Sequence, residues 1–186
     1  MAGGWDGMFS RKQAIATGMG AICSVGLVLA GCGPQGGLTA TVSQQVHPVL
    51  IRNDHNVLLR LVIDSKRASP VSLRSLEVSL EGTDDLGDLE SLEVYRTGAK
   101  QEFAADARFS PIAQPSAQVS FRGEQPLQPG ANVFWLSCRL KPAADLSHKV
   151  AARLTAIETS EGSLALAGQP NPVRRRIGIA LRKHND

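Results

Sequence analysis

The chain has 186 residues, with 20 Lys+Arg against 17 Asp+Glu and four histidines. That length supports one domain able to bury a core of its own. The basic excess is small. Its one cluster, Arg174-Arg175-Arg176 followed by Arg182 and Lys183, has no interleaved aromatics. This argues against a nucleic-acid surface and for a solvated strand or linker.

Arg11 and Lys12 precede an uncharged apolar run from Ala14 to Ala30, which ends in Leu29-Ala30-Gly31-Cys32. A positive start, a short apolar middle and small residues before a cut site are the physical parts of an export signal. Gly18, Gly20 and Gly26 interrupt the run and make it a poor permanent membrane span. The ending looks like a bacterial lipoprotein signal, with Cys32 lipidated and first in the mature chain. The expected localisation is outside the cytoplasm, membrane-anchored, in the periplasm or on the cell surface. Removing 31 residues leaves 18 basic against 16 acidic side chains, close to neutrality. Cys23 lies in the leader, so Cys138 is left without an intrachain disulfide partner.

Residues 33–38, with Gly33, Pro34, Gly36 and Gly37, read as a tether. Strands follow. Thr39–Val46 is the first candidate and Val57–Ile63 the second, after the turn-like Asn53-Asp54-His55-Asn56. Leu76, Val78 and Leu80 alternate with Glu77 and Ser79, which predicts a strand with one buried face. Leu92 and Val94 repeat that pattern. Residues 100–116 are irregular, and Phe103 and Phe109 should pin them to the domain. Val119 and Phe121 mark a strand before the turn Pro126-Leu127-Gln128-Pro129-Gly130. Phe134, Leu136, Cys138 and Leu140 then fall on one face, with Trp135, Ser137 and Arg139 on the other. Val150, Ala152, Leu154 and Ala156 form another alternation, closed by a hairpin at Ser160-Glu161-Gly162, after which Leu164 and Leu166 continue. Ile177, Ile179 and Leu181 make the last strand. Short strands at this spacing, with no amphipathic helix, predict an all-β antiparallel sandwich of jelly-roll or Ig-like type, preceded by the signal segment.

Glu93 and Tyr95 share one strand face, and a carboxylate beside a phenol is the kind of pair some glycosidases use as a nucleophile. No clustered arginine or acid partner accompanies them in sequence, which favours an ordinary polar face. Asp84, Asp85, Asp88 and Glu90 crowd one loop. They are calcium candidates whose spacing is not that of an EF-hand, against the reading of solvated turn residues. Trp135, with Arg139 and Tyr95, is a candidate ligand-binding set. The alternative packs Trp135 beneath residues 100–116. His47, His55, His148 and His184 show no metal-ligand spacing, and no Gly-x-Ser-x-Gly elbow or phosphate loop occurs. No cofactor is expected and no residue is assigned as catalytic.

The stretch Leu76-Glu77-Val78-Ser79-Leu80-Glu81-Gly82-Thr83-Asp84-Asp85, then Asp88–Tyr95 and Thr97-Gly98, resembles the N-terminal accessory domain of bacterial sialidases (neuraminidases). Gly130–Ser137 and Lys149-Val150 fit the same domain, and Ile177–Asp186 resembles the lead into the catalytic propeller. The resemblance implies a domain over 39–182, with 183–186 opening a linker to a propeller that the chain lacks. It implies a role in binding sialylated glycans or in packing on that propeller, and membrane attachment through Cys32. In that family the Arg-Ile-Pro motif, the Asp-boxes, the Tyr/Glu nucleophile and the Asp acid/base belong to the propeller. Arg176-Ile177-Gly178 is not Arg-Ile-Pro, so no family active-site residue maps onto this chain. A stand-alone lipoprotein binding module for glycan or protein is the alternative function, and a hydrolase using Glu93 and Tyr95 is a third.

Overall fold

The computed structural model describes residues 37–166 and 172–180, all within one compact unit. The signal segment 1–32 with Cys32, residues 33–36 of the tether, residues 167–171, and 181–186 with Leu181 and the linker 183–186 lie outside that range. The strands are β1 Leu38–Gln44, β2 Val49–Ile51, β3 Asn56–Ser65, β4 Val71–Ser79, β5 Leu89–Gly98, β6 Gln118–Leu127, β7 Gly130–Leu140, β8 Lys149–Val150, β9 Arg153–Thr159, β10 Gly162–Ser163 and β11 Arg175–Ile179. Among the described residues one 3-10 turn, Leu86–Asp88, precedes β5. Two four-stranded antiparallel sheets form, in the orders β1-β3-β7-β5 and β10-β9-β4-β6. The predicted sandwich is the fold found.

Period-two patterning decides which side chains enter the core. The first sheet contributes Leu38 and Ala40, Leu59, Leu61 and Ile63, Leu92 and Val94, and Phe134, Leu136, Cys138 and Leu140. The second contributes Leu73, Leu76 and Val78, Val119 and Phe121, and Leu154 and Ile157. Burial of each large apolar side chain contributes about 1.5–3 kcal/mol. The core Cys138 is a free thiol, and burial pushes its pKa up to about 12, so it is an inert apolar group.

Two positions need glycine, one in a turn and one inside a strand. Gly130, at φ 86°, closes the β6–β7 hairpin, where the Asn132 side chain accepts from Gln128 N (2.9 Å) and donates to its carbonyl (2.8 Å). A Cβ on Gly123 would meet the Phe109 carbonyl oxygen at 2.4 Å. The hairpin expected at Ser160-Glu161-Gly162 is present, with Thr159 paired to Gly162.

Three features differ from the sequence expectation. The alternation drawn through Val150 to Ala156 is broken. Val150 ends β8, and a register irregularity in β9 sends Leu154 and Ile157 inward. Val49–Ile51 forms a strand, and with β11 and β8 it builds a third small sheet ordered β2-β11-β8, where β2 and β11 run parallel. The basic cluster near the C-terminus is also not a uniformly solvated strand: Arg174 and Arg176 are exposed, while Arg175 is buried in phase with Ile177.

The core is the source of stability, so Phe121→Ala should lower unfolding free energy by about 3–5 kcal/mol. Val46→Ala, at a position 72% exposed, should stay within about 0.5 kcal/mol, both read from urea unfolding followed by circular dichroism.

Candidate functional site

The outer face of the first sheet carries a second cluster of buried residues, Tyr95, Val133 and Trp135, with Val57, Val62 and Phe103 against it. Antiparallel register sets Tyr95 directly opposite Trp135 and Glu93 opposite Ser137. Residues 99–117 run along β5. Arg96 N donates to Ala107 O (2.9 Å), Phe109 N to Val94 O (2.8 Å), and Leu92 and Ala113 exchange both bonds. The segment therefore covers the sheet edge, and it places Phe109 in the main core and Phe103 on the outer face. Phe103 lies edge-on to Tyr95 at 5.6 Å and to Trp135 at 5.9 Å. Trp135 Nε1 donates to Thr97 Oγ1 (2.9 Å), and the Arg60 guanidinium lies 5.5 Å from the ring centroid. Trp135 does face away from the main core, and the packing alternative is the one found.

The Tyr95 hydroxyl donates to Glu93 Oε2, which also accepts from Arg108 Nε at 2.8 Å. An arginine thus accompanies the Glu93–Tyr95 pair, supplied by the covering segment and invisible in the spacing of the pair. Both Glu93 and Tyr95 are buried. Burial, and then the hydrogen bond to Glu93, raise the Tyr95 pKa, so the phenol stays protonated at neutral pH. That is the wrong direction for an activated nucleophile, and it fits a packing role. Arg139 lies apart from this cluster, half-exposed, with Nη2 3.2 Å from Asp54 and Nε 3.3 Å from Glu90. Tyr95 and Trp135 are brought together, and Arg139 is not.

Two clefts border the outer aromatic cluster. One, of about 620 Å³, is lined by Asp54, Glu90, Glu93, Arg108 and Arg139 and is dominated by internal ion pairs. The other, of about 380 Å³, is lined by His47, Asn53, His55, Phe103, Trp135 and Arg175 among others. Its sequence signal was the in-phase position of Arg175 with Ile177, which a reading of the triple arginine as one charged block conceals.

The acidic loop is organised around hydrogen bonds. Asp84 accepts from Lys149 N (2.9 Å) and pairs with Arg174. Asp85 caps the 3-10 turn by accepting from Gly87 N (2.7 Å). Asp88 is buried, accepts from Asp145 N (3.1 Å) and bonds His148 Nδ1 (2.8 Å). Glu90 faces Arg139 instead. The donor atoms of Asp85, Asp88 and His148 lie within 4.8 Å of one another. With an imidazole in the set, these three residues suit a zinc-type ion better than calcium, which prefers an all-oxygen shell.

The Glu93–Tyr95 pair of this sandwich is thus buried and engaged in packing. The family model described as the N-terminal domain of BNR-repeat neuraminidase matches residues 38–118 and 108–163, and the chain belongs to that family. A sialidase of Bacteroides fragilis is 28% identical over 167 residues, covering 75% of this chain and 30% of that protein. The solved structure of the Hadza microbial sialidase Hz136 superposes with TM-score 0.63 at 21% identity, over 75% of this chain and 31% of the other. The chain thus spans under a third of the length of the relatives it matches.

The hydrogen bond to Asp88 raises the His148 pKa above the ordinary 6.5. A raised folded pKa contributes stability that is fully present below 6.5 and is lost as pH rises through the folded value. Asp145, which accepts from Ser147 N and Oγ, has a lowered pKa, so its contribution is lost as pH falls below 3.8. The melting temperature should therefore decline on going from pH 6 toward pH 8, and His148→Gln should flatten that decline. An unchanged slope in the variant would remove His148 as its source.

Proposed function

We propose that this chain is the non-catalytic N-terminal domain of an exported sialidase, an enzyme that releases terminal sialic acid from glycans. The domain serves a catalytic propeller by packing against it and by holding sialylated glycan near it. The observation that carries this reading is the family match over both sheets of the sandwich, joined to a buried Glu93–Tyr95 pair whose phenol stays protonated. The sialidase relatives support the activity of the whole protein. The leader, with Arg11, Lys12 and Leu29-Ala30-Gly31-Cys32, supports export and a lipid anchor on Cys32. One acyl chain holds a protein only marginally, whereas two or more hold it firmly.

The purified chain should show no turnover of a fluorogenic sialoside. The same domain followed by a propeller should turn it over, and deleting 38–180 from that longer protein should lower kcat/KM on a sialylated polymer by about tenfold or more through lost avidity. The small substrate should be affected less. Turnover by the isolated chain that disappears in Tyr95→Phe would overturn the reading in favour of a hydrolase. Cells fed labelled palmitate should label the chain and not its Cys32→Ala variant, and label surviving in the variant would remove Cys32 as the anchor.

A further inference from the structure

Arg175 is 5% exposed, and among the described residues no carboxylate pairs with it. One N–H of its guanidinium donates to the Val57 carbonyl (2.8 Å). Its titratable neighbour is the Cys138 thiol, which is neutral across the physiological range. Burial lowers the Arg175 pKa but leaves the group a cation at neutral pH. A buried cation without a counter-charge destabilises a fold unless an anion reaches it. Arg108 and Arg139, in the neighbouring cleft, already carry the carboxylates of Glu93, Asp54 and Glu90.

Arg175 lines the cavity of about 380 Å³, a volume within the range of small-molecule sites. Half-buried Phe103 and the residual surface of Trp135 form an aromatic wall, and exposed His47 and Asn53 stand at the mouth. The guanidinium presents a planar fork that matches a carboxylate. The aromatic wall suits the apolar face of a ring, and the imidazole and amide suit hydroxyls. An inorganic anion would use the first of these features alone.

We propose that this cavity binds the carboxylate of an acidic sugar, with Arg175 as its counter-ion and Phe103 and Trp135 against the ring. The choice of a sugar rests on the accessory-domain reading, and the anion rests on Arg175.

The test is calorimetric titration of the full chain with the methyl glycoside of sialic acid, with the methyl ester of the same glycoside, and with glutamate. The glycoside should bind with Kd on the order of 1 mM. The ester, which lacks the charge, and the Phe103→Ala and Arg175→Lys variants should each weaken binding by about tenfold. Phe103→Ala alters a half-buried residue of the covering segment, so it keeps the test decisive even where Arg175→Lys fails to fold. Equal binding of ester and acid, glutamate binding as tightly as the glycoside, or full affinity in folded Phe103→Ala would each overturn the pocket. So would absence of any binding. The accessory-domain reading in its packing role would survive all of these results, because propeller-linked turnover of the small fluorogenic sialoside tests it independently; its glycan-holding role would not survive an absence of binding.

Discussion

The rest of the molecule depends on β7 being buried on both faces. Its inward side chains, Phe134, Leu136, Cys138 and Leu140, meet the second sheet, and its outward Val133, Trp135 and Ser137 are equally buried. An antiparallel sandwich normally solvates its outer faces. Here an additional layer is required, and 99–117 supplies it by pairing along β5 and folding Phe103 over Tyr95 and Trp135. The polar tips of Trp135 and Tyr95 then find partners. The indole N–H reaches Thr97, and the phenol reaches Glu93, which Arg108 neutralises. The covering segment has no regular structure of its own, so its order derives from these few anchors and from its edge hydrogen bonds.

The same economy governs the acidic loop. A run of aspartates would repel itself in isolation, yet each carboxylate is directed to a different group: Asp84 to Arg174 and Lys149 N, Asp85 to Gly87 N, Asp88 to His148 and Asp145 N. These bonds tie the β4–β5 connection to the β7–β8 connection and to the segment entering β11. Charge in this region is a fastening between distant parts of the chain, and its sensitivity to pH follows from the one imidazole among the carboxylates.

The sandwich was legible in the sequence because strand periodicity is local: Leu76 and Val78, or Phe134 to Leu140, declare their face within a few residues. What escaped was non-local. The pairing of Val49–Ile51 with β11 is parallel and joins segments more than a hundred residues apart, so no turn signature announces it. Arg108 joins Glu93 because 99–117 doubles back along β5, and His148 joins Asp88 across 60 positions. The alternation at Val150 to Ala156 misled because irregular register shifts which residues face inward. Period-two alternation puts Tyr95 and Trp135 on the outer face, where they are found, but one strand cannot reveal whether a face is covered.

Covering and binding are compatible on this surface, because the aromatic layer that secures the outer face also ends at a cavity. Trp135 is held by Thr97, Phe103 and Arg60, which fixes its ring before any ligand arrives and spares the entropy of ordering it. Arg175 is held by the Val57 carbonyl at the junction of β11 with β3, so its fork too has a defined orientation. A cation kept in such a place lowers stability relative to an apolar residue of similar size. A sandwich of this size has enough core to tolerate that cost. Such violations of burial rules are concentrated at sites that do something other than hold the fold together. The apolar packing of Phe103 and Trp135 and the charge of Arg175 therefore act in opposite directions on stability, and they converge on one cavity.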